Sequence, residues 1–432
     1  MPNVAAPTRN SSVEITFELL DALLADYPQR DFAVRLWNRE VWGNRADPRF
    51  TIVLKHPGSL RRMLVGANQV TLGEAYIYDD FDVEGSVEAA FAFGDYLIVH
   101  ELELTEKLRL AGLLLRLPRH DDQTDKHDVA PQLHGRLHSK NRDRDAVTYH
   151  YDLSNDFYQL WLDRRMVYSC AYFQRDDEDI DAAQVNKLDY ICRKLRLRAG
   201  ERLLDVGCGW GGLVLHAAQR FGVKALGVTL SQHQAELARA RISEAELDDR
   251  CEVRVCDYRD LEPASQYDKI VSVGMFEHVG ESCLPEYFEH VWKLLRRGGV
   301  FLNHGIAASA LFRRRGPSFI DKYVFPDGGL VPLGTTIRIA EACGFEVRDV
   351  ESLREHYART LRHWVRRLES RCEDAKRITN ETVYRIWRIY MAGCAYAFAK
   401  GRVNIYQVLF SKPDAGDTYL PLTRADWYRS SG

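Results

Sequence analysis

A glycine-rich segment is the first stretch of the chain whose residues are spaced for ligand chemistry. In GCGWGG, Gly207, Gly209 and Gly212 match the pattern G-x-G-x-x-G of nucleotide-binding turns. Glycines at these positions allow a tight turn from strand to helix and a close approach of a ligand to the backbone. A dinucleotide site also needs an acidic residue about 20 positions further on, to hold a ribose. The sequence there reads VTLSQHQ and contains no carboxylate, so the segment disfavours a dinucleotide.

Two acidic residues accompany these glycines at other places. Asp205 directly precedes them, and Asp257 follows the third predicted strand of this region. The segments LLDVGCGWGG and VCDYRDL together resemble the S-adenosylmethionine (SAM) site of class I methyltransferases. The resemblance implies that the glycine loop holds the methionine moiety of SAM and that Asp257 lies beside the adenine.

A second candidate site is the segment SVGMFEHVG, in which Glu277 and His278 stand side by side directly after an apolar run. Charged and titratable side chains rarely follow a buried strand without a functional reason. Three further segments accompany these two candidate sites: HYDLSNDFYQLWLD, YSCAYF and AGCAYAFAKGRVNIYQVLFS. Together they resemble the cyclopropane fatty acid synthase family, which includes the mycolic acid cyclopropane synthases. The similarity covers about residues 146–411, and VTLGEAYIYDDFDVEG resembles the accessory domain of the longer bacterial members.

The resemblance implies an unusual methylation. The double bond of an unsaturated acyl chain attacks the methyl group of SAM, and the carbocation loses a proton from that methyl group to close a three-membered ring. Because an alkene is a weak nucleophile, it must be held close to the sulfonium and aligned with it. The cation must be shielded from water, for which aromatic faces are suited, and a base must lie within reach of the added methyl group.

By the same resemblance, that base is a bicarbonate ion. The resemblance implies that the side chains of Glu277, His304 and Tyr357 and the backbone at Cys170 and Ile306 bind it. A carboxylate repels an anion unless a proton is shared, so Glu277 is expected to orient bicarbonate as a hydrogen-bonded pair. Taken alone, His304 is typical of a core histidine, but its place beside the strand that precedes Glu277 favours a functional role. Tyr357 is equally typical of a packing tyrosine.

Cys394 and His278 are weaker candidates for this site. Cys394 lies in the segment AGCAYAF, whose cysteine is a candidate nucleophile by the family resemblance. It also falls on an apolar helical stripe with Trp387 and Phe398, which is typical of a core cysteine, and no step of the reaction needs a thiolate. We interpret His278 as a residue that packs beside Glu277.

The resemblance also predicts the residues that contact SAM. Gln234 is a candidate to replace the missing acid as partner of the ribose or of the methionine moiety. The predicted contacts are Tyr168, Ser169, Leu203, Leu204, Asp205, Val206, Gly207, Cys208, Gly209, Trp210, Gly211, Thr229, Leu230, Ser231, Gln232, His233, Gln234, Asp257, Tyr258 and Arg259.

One segment departs from the ring-forming relatives. They commonly read LLHTI at the strand that carries the histidine, whereas this chain reads LNHGI, with Asn303 and Gly305. These two residues change the polarity and the room beside the proposed base. A methylene branch, or a methyl branch after reduction, is therefore an alternative to the cyclopropane product. An N-methyltransferase of a soluble amine and a lipid-binding module without activity are further alternatives, and the intact Glu277 and His304 argue against the last.

The segments around these sites predict the fold. From residue 146, apolar strands alternate with helical stretches, which is typical of an α/β fold with a doubly wound, mostly parallel, Rossmann-like sheet. Residues 307–335 and 354–400 depart from this alternation and are candidates for a helical cap over the carboxyl edge of the sheet, where such folds bind ligands. Helix and strand signals between residues 13 and 105 predict a small N-terminal α+β unit.

The composition of the chain predicts where this unit ends. Residues 118–145 have few large apolar groups and many charges, which is typical of a linker. We therefore predict an accessory domain for lipid or dimer contacts at residues 1–117, a charged linker at 118–145 and a methyltransferase domain at 146–432. The linker histidines are irregularly spaced with no cysteine nearby, so we expect them to be solvated and predict no metal site. They are His120, His127, His134 and His138.

Two segments bear on the substrate. EKLRLAGLLLRLPRH, residues 106–120, combines leucines with basic residues; we interpret it as a packing helix, with a membrane-surface helix as the alternative. LFRRRGPSF places Arg313, Arg314 and Arg315 beside apolar residues, which suits an anionic lipid surface or, equally, a solvated charge run. The resemblance to the longer bacterial members implies unsaturated phospholipid acyl chains at a membrane surface as the substrate, and a homodimer.

The composition of the whole chain excludes some classes of protein. The 432 residues carry a net charge of −3, which argues against a nucleic-acid partner. There is no apolar run of spanning length, and the N-terminal segment lacks the pattern of a signal peptide. The nine cysteines are scattered without a CxxC pair, which is typical of reduced thiols in the cytosol. We expect a cytoplasmic protein peripherally associated with the inner face of the membrane.

Overall fold

The computed structural model describes most of the chain. The described residues are 9–99, 103–119, 130–131, 133–151, 153–263, 267–309 and 318–428. The three arginines Arg313–Arg315 and two of the linker histidines, His120 and His127, lie outside these ranges. No helix within the ranges is both long and apolar enough to cross a membrane.

The elements follow one another in this order along the chain. They are α1 (Arg9–Leu23), β1 (Phe32–Arg35), β2 (Val41–Gly43), β3 (Phe50–Leu54), α2 (Ser59–Leu64), α3 (Gln69–Ile77), β4 (Phe81–Gly85), α4 (Val87–Val99), α5 (Leu104–Arg116), α6 (Lys140–Tyr151), α7 (Asn155–Gln159), α8 (Ile180–Lys194), β5 (Arg202–Val206), α9 (Gly212–Phe221), β6 (Lys224–Thr229), α10 (Gln232–Glu244), β7 (Cys251–Val255), β8 (Tyr267–Val273), α11 (Leu284–Leu294), β9 (Leu295–Ala308), α12 (Phe319–Tyr323), β10 (Val331–Pro332), α13 (Leu333–Ala342), β11 (Glu346–Ser352), α14 (Arg354–Ser370), α15 (Cys372–Ile378), α16 (Glu381–Ala399) and β12 (Val403–Ser411). Short 3₁₀ turns lie at Tyr258–Asp260, Phe276–His278, Glu281–Cys283 and Ala425–Tyr428.

The described residues fall into two compact units. The first comprises those within Met1–Ala130, Arg314–Val324 and Asn380–Tyr396. The second comprises those within Pro131–Arg313, Phe325–Thr379 and Ala397–Gly432. Two later segments of the chain therefore cluster with the N-terminal one, and the domain limits inferred from the sequence stay a prediction.

The first unit is built on a four-stranded sheet of order β2-β1-β3-β4. Its core is aromatic, with the rings of Phe32 and Phe50 stacked at 5.1 Å between centroids. Helix α5 packs on α1 and α2 of the same unit, and it does so with Leu110, Leu113 and Leu114, which are buried. The interpretation of this segment as a packing helix therefore holds for one of its faces.

The second unit contains a seven-strand path of order β11-β12-β9-β8-β5-β6-β7, with β10 paired to the end of β9. Strands β7, β6, β5, β8 and β9 are parallel. Strand β12 pairs antiparallel with β9, and the edge strand β11 pairs antiparallel with β12. Leu203 and Leu204 of β5 enter different core clusters because successive side chains of a strand point to opposite faces. The doubly wound, mostly parallel α/β sheet predicted from the sequence is confirmed.

The order of the strands places the ligand crevice. From β5 the chain moves outward to β6 and β7 and then returns to β8 on the other side of β5. Ligands of such sheets bind at this switch point, outside the carboxyl ends of the two central strands. The loops that leave β5 and β8 begin at Gly207 and Gly274, so both segments singled out in the sequence meet there.

One part of the predicted linker differs from expectation. Residues 140–145 are helical and form the first half of α6. Arg142 makes a bidentate ion pair with Asp327, 185 residues away, with Nη2 2.9 Å from Oδ1. A segment rich in charged residues predicts a solvated linker, because the local sequence does not reveal a partner so far away along the chain.

Candidate active site

The glycine turn after β5 has a backbone that other residues do not readily adopt. Gly207 has φ +82°, and its N–H donates to the carbonyl of Val228 at 2.9 Å. A Cβ built at Gly207 would lie 2.7 Å from the Cβ of Met275, closer than real Cβ atoms approach. Both the conformation and the space therefore require glycine here, and the turn brings the backbone up to the cavity.

A cavity opens at the carboxyl ends of β5, β6 and β8. Most of the predicted SAM contacts line it: Tyr168, Ser169, Asp205, Val206, Gly207, Cys208, Gly209, Trp210, Thr229, Leu230, Gln234, Asp257, Tyr258 and Arg259. Lining residues that the sequence analysis did not assign to SAM are Asp143, Met166, Val167, Lys187, Leu188, Gly212, Leu213, Val228, Cys256, Val273, Gly274, Met275, His278, Val279, Cys283 and Glu286.

The other predicted SAM contacts lie elsewhere. Leu203 and Leu204 are buried in the core below the turn. Gly211 is packed on Ala238, and Ser231 caps α10 by accepting the N–H of Gln234. The side chains that follow this cap are exposed: they are Gln232 and His233.

Lys187 is the most informative residue that the sequence analysis missed. Its Nζ donates to Ser169 Oγ at 2.9 Å, and the side chain is almost completely buried. Burial lowers the pKa of this ammonium to about 8. A signal existed, because Gln184 and Lys187 occupy the apolar stripe of α8 at helical spacing from Ile180. A polar residue on a buried helix face needs a partner, and here the partner is the wall of the cavity.

Asp205 supplies the opposite charge on the same wall. The side chain is 2 % exposed, and its Oδ1 has no hydrogen-bond partner in the described part of the chain. Burial raises the pKa of Asp205 to about 7, and the positive charge of Lys187 opposes that rise. The cavity thus offers a cation with a hydroxyl at one point and a carboxyl group at another.

The carboxylate of Asp257 accepts hydrogen bonds from the nearby Arg259. Arg259 donates Nε to Oδ1 at 2.9 Å and Nη2 to Oδ2 at 2.6 Å. Burial alone would raise the pKa of Asp257, but the hydrogen bonds from Arg259 outweigh it and hold the pKa below its usual value. Nη2 of Arg259 also reaches Asp143 of α6 at 2.9 Å. The predicted adenine-side residues therefore form one network with α6, whose first half lies in the predicted linker.

The segment YSCAYF is fixed by bonds from two helices. Gln184 of α8 donates Nε2 to the carbonyl of Ser169 at 2.8 Å. Thr360 of α14 accepts the N–H of Ala171 at 3.0 Å. The ring of Tyr168 lies 5.3 Å from the ring of Trp364 and packs among further aromatic rings. Such aromatic faces suit the shielding of a cation.

Glu277 lies in the 3₁₀ turn after β8. Its Oε1 accepts the backbone N–H of Ile306 at 2.7 Å, so the Ile306 donor is engaged by Glu277. Its Oε2 is buried and meets no hydrogen-bond partner among the described residues. Burial raises the pKa of Glu277 to about 7, and the Ile306 bond opposes the rise. The carboxyl group is therefore ready to hold or release a proton near neutral pH.

His304 lies on β9, two residues before Ile306, and it is fully buried. Burial holds the pKa of His304 well below its usual value, so the ring is neutral. Its Nδ1 lies 3.3 Å from Nε2 of Gln407. Its own Nε2 is buried without a hydrogen-bond partner among the described residues.

A chain of backbone bonds connects these two groups to the remaining predicted bicarbonate residues. Ile306 is paired across the sheet with Ile405, whose carbonyl accepts the N–H of Leu353 at 2.9 Å. Leu353 in turn accepts the N–H of Tyr357 at 3.0 Å and lies 3.8 Å from the Cys170 sulfur. The structure therefore brings Glu277, His304, Ile306, Cys170 and Tyr357 to one end of the sheet.

Comparison with known proteins agrees with this geometry. Residues 138–408 match the family described as mycolic acid cyclopropane synthetase. This chain belongs to that family. Residues 19–93 match a second family, described as a domain of unknown function.

Relatives within the synthetase family extend over most of the chain. A probable fatty acid methyltransferase of Pseudomonas putida is 44% identical over 402 residues, which is 92% of this chain and 96% of that protein. The cyclopropane-fatty-acyl-phospholipid synthase of Escherichia coli (strain K12) is 36% identical over 306 residues, 71% of this chain and 77% of that protein. The solved structure of mycolic acid cyclopropane synthase CmaA1, complexed with SAH and CTAB, has a TM-score of 0.59 and 35% identity, and covers 62% of this chain and 97% of that one.

Membership of the synthetase family confirms three predictions from the sequence. The family resemblance is correct, the fold is that of a class I methyltransferase, and the protein is a SAM-dependent methyltransferase. The described residues hold no group of three or more histidines, cysteines and carboxylates that could bind a metal ion. The role of each site residue stays a prediction.

The two weaker candidates from the sequence, Cys394 and His278, are both neutral near pH 7. Cys394 is half-buried on α16, and burial raises the pKa of its thiol to about 12. The thiol is therefore neutral near pH 7 and a poor nucleophile. His278 lines the SAM cavity, whereas Glu277 bonds to β9, so the adjacent pair divides between two parts of the site. Burial lowers the pKa of His278 to about 4, so this ring is neutral.

The two residues that depart from the ring-forming relatives flank His304 on β9. Asn303 is buried, and its Oδ1 accepts the hydroxyl of Tyr287 at 3.3 Å. A Cβ built at Gly305 would lie 3.1–3.5 Å from side-chain atoms of Phe276, the residue before Glu277. A larger residue at Gly305 would therefore press on the turn that carries the carboxyl group.

Proposed function

We propose that the protein transfers a one-carbon unit from SAM to the double bond of an unsaturated phospholipid acyl chain and closes a cyclopropane ring. One observation carries this proposal: the buried carboxyl group of Glu277 and the buried neutral imidazole of His304 lie at the carboxyl end of adjacent strands. Each has a polar atom without a hydrogen-bond partner among the described residues. The printed names of the Escherichia coli and CmaA1 proteins are those of cyclopropane synthases, which supports the same reaction.

The cavity fits the amino-acid end of SAM. That end is a zwitterion, with one carboxylate and one ammonium group. Lys187 and the Ser169 hydroxyl match the carboxylate, and the buried carboxyl of Asp205 matches the ammonium. Charge-assisted hydrogen bonds of this kind are stronger than neutral ones and fix the direction of the ligand. This binding would orient the methyl group relative to the acyl chain.

The reaction balances without a metal or a redox step. The π electrons of the alkene form a bond to the methyl carbon while the bond from that carbon to sulfur breaks, which releases S-adenosylhomocysteine. The carbocation then loses one proton from the added methyl group, and that pair of electrons closes the ring. Aromatic rings around Tyr168 can shield the cation from water.

The residues around Glu277 fit bicarbonate, which would supply the base for this proton when bound. With its ring proton on Nε2, His304 would present a buried donor to an oxyanion, and this Nε2 has no hydrogen-bond partner among the described residues. Glu277 can carry a proton near neutral pH, so its carboxyl group need not repel an anion. Tyr357 and the backbone of Cys170 lie at the same end of the sheet, whereas the N–H of Ile306 acts through Glu277.

The test of the proposed function uses purified full-length protein, SAM and vesicles of monounsaturated phospholipid. The released fatty acids are analysed by mass and by proton spectra, in buffer with bicarbonate and in degassed buffer without it. A gain of one CH2 with upfield ring protons, lost in degassed buffer and restored by bicarbonate, is the expected result. No gain in mass with SAM still bound would overturn the proposal and favour a soluble amine as substrate.

A second candidate function is the formation of a methylene-branched acyl chain. The glycine at Gly305 and the polar Asn303 beside His304 favour it, because both alter the surroundings of the group that removes the proton. The name of the Pseudomonas putida relative, a probable fatty acid methyltransferase, is consistent with either product. Vinylic protons in the same spectra would establish this alternative.

We propose that the protein acts at the inner face of the cytoplasmic membrane, because a phospholipid substrate requires it to dock on a bilayer. A homodimer remains a prediction from the resemblance to the longer bacterial members.

A further inference from the structure

Helix α5 has a second face that its packing does not use. Three of its leucines are buried against the first unit, but three others are largely exposed: Leu104 by 73%, Leu108 by 66% and Leu115 by 65%. Large apolar side chains that are exposed together, rather than singly, indicate a surface that meets another partner.

These leucines form one stripe. At about 100° per residue, Leu104, Leu108, Ala111 and Leu115 fall within an arc of roughly 60° on the helix. Ala111 is also exposed, so the stripe is continuous over eleven residue steps, or about 16 Å. We call these four residues the α5 stripe. The buried leucines lie outside this arc, with Leu114, the nearest of them, about 60° from Ala111 around the helix.

Cations flank the α5 stripe on both sides. Lys107 lies on one side and Arg109 and Arg116 on the other, and all three are exposed. Arg109 makes one exposed contact of 3.4 Å with Glu18. Glu106, the one acidic residue within α5, lies on the opposite face of the helix. An apolar stripe with a positive rim is the arrangement of helices that lie in the interface of an anionic bilayer.

We propose that the α5 stripe and its three flanking cations dock the protein on an anionic phospholipid bilayer, an assignment that rests on the proposed function. The charges favour a bilayer over a second copy of the chain. A symmetric dimer through this face would bring each positive rim against its own equivalent, and like charges across an interface are unfavourable. Lipid phosphates complement the rim, and acyl chains complement the leucines.

The test is flotation of the full-length protein with vesicles of equal parts phosphatidylcholine and phosphatidylglycerol. Two variants are compared with the wild type: Leu104→Gln/Leu108→Gln/Leu115→Gln and Lys107→Gln/Arg109→Gln/Arg116→Gln. The matched control is Leu422→Gln, because Leu422 is a fully exposed leucine in the second unit. All substituted side chains are exposed, so equal thermal melts are expected for every variant.

We expect about a tenfold or greater loss of vesicle binding for the leucine variant, and for the charge variant a loss confined to vesicles with phosphatidylglycerol. The control variant should bind like the wild type. Equal flotation of the leucine variant and the wild type would overturn the proposal. So would a change from dimer to monomer in the leucine variant with unchanged flotation, which would assign the stripe to a second copy of the chain.

A parallel assay separates this inference from the proposed function. Monounsaturated phospholipid dispersed in neutral detergent micelles presents the acyl chain without an anionic bilayer. The leucine variant should transfer methylene to this lipid at the wild-type rate while failing to float with vesicles. Flotation through α5 without any transfer by the wild type would support the docking surface and refute the proposed function.

Discussion

The change Glu277→Gln tests the central claim about the site, that a carboxyl group is buried there with a proton of its own. In the folded protein, burial raises the pKa of Glu277 from 4.5 to about 7. Between those values the folded protein holds a proton that the unfolded chain has released. The stability linked to this group is therefore fully present below pH 4.5 and is lost as the pH rises towards 7.

The size of the effect follows from the pKa values. A shift of one unit corresponds to about 1.4 kcal/mol, so a shift of about 2.5 units corresponds to roughly 3 kcal/mol. The free energy of unfolding of the wild type should thus fall, relative to Glu277→Gln, by roughly 3 kcal/mol between pH 4.5 and pH 7. Asp205 has its pKa raised to about 7 as well, but it is present in both proteins and cancels in the difference.

Glutamine is a suitable replacement because its Oε1 can still accept the N–H of Ile306. The assay is urea unfolding at several pH values in degassed buffer without SAM, with the unfolding free energies extrapolated to water. Glu281→Gln is the matched control, since Glu281 is an exposed carboxylate in the next turn. Parallel curves for the wild type and Glu277→Gln would refute the claim that Glu277 is buried as a protonated acid.

Three further predictions concern neighbouring residues. Lys187→Met should raise the KM for SAM roughly 10- to 100-fold with a smaller change in kcat, because a charge-assisted hydrogen bond is worth about 1.5–3 kcal/mol. Initial rates at varied SAM concentration test this, and an unchanged KM would contradict the assignment of Lys187 to the SAM carboxylate. Gly305→Thr should lower the fraction of any methylene-branched product, because the added side chain contacts Phe276 beside Glu277. Proton spectra of the product measure this vinylic fraction, and a higher fraction than in the wild type would refute the link. Cys394→Ala should keep kcat/KM within about twofold, since the thiol of this half-buried residue has a pKa of about 12 and stays protonated. A loss of a hundredfold or more would show that the thiol acts in the reaction.

Much of the fold could be predicted from the sequence because its signals are local. The turn at Gly207 needs a positive φ and space for Met275, so glycine is required there and marks the switch point of the sheet. Alternating apolar strands and helices predict the doubly wound sheet, since each element must bury one face. The motifs around Glu277 and His304 are also local, since each is a short run of residues in or directly after the turn that follows β8 or within β9.

Other features depend on distant partners and left little trace in the sequence. In the sequence, Lys187 looks like any other charged residue of a helix. Its role becomes visible only in the fold, where α8 packs against the loop of Ser169. Asp143 lies in a segment rich in charge, and only the fold brings it to Arg259, 116 residues further along. The segment Asn380–Tyr396 clusters with the N-terminal unit, although it follows the methyltransferase motifs in sequence.

The motifs in the sequence were enough to predict a SAM-dependent methyltransferase of the cyclopropane synthase family, and to propose Glu277 and His304 for its reaction centre. The protonation state of these two groups follows only from the folded structure. Residue type does not say whether a carboxyl group is charged, because its pKa depends on the water removed and the charges brought near when distant elements pack. Burial gives Glu277 and Asp205 pKa values near 7 and keeps His304 neutral. The packing of α5 likewise leaves three of its leucines exposed while three others are buried.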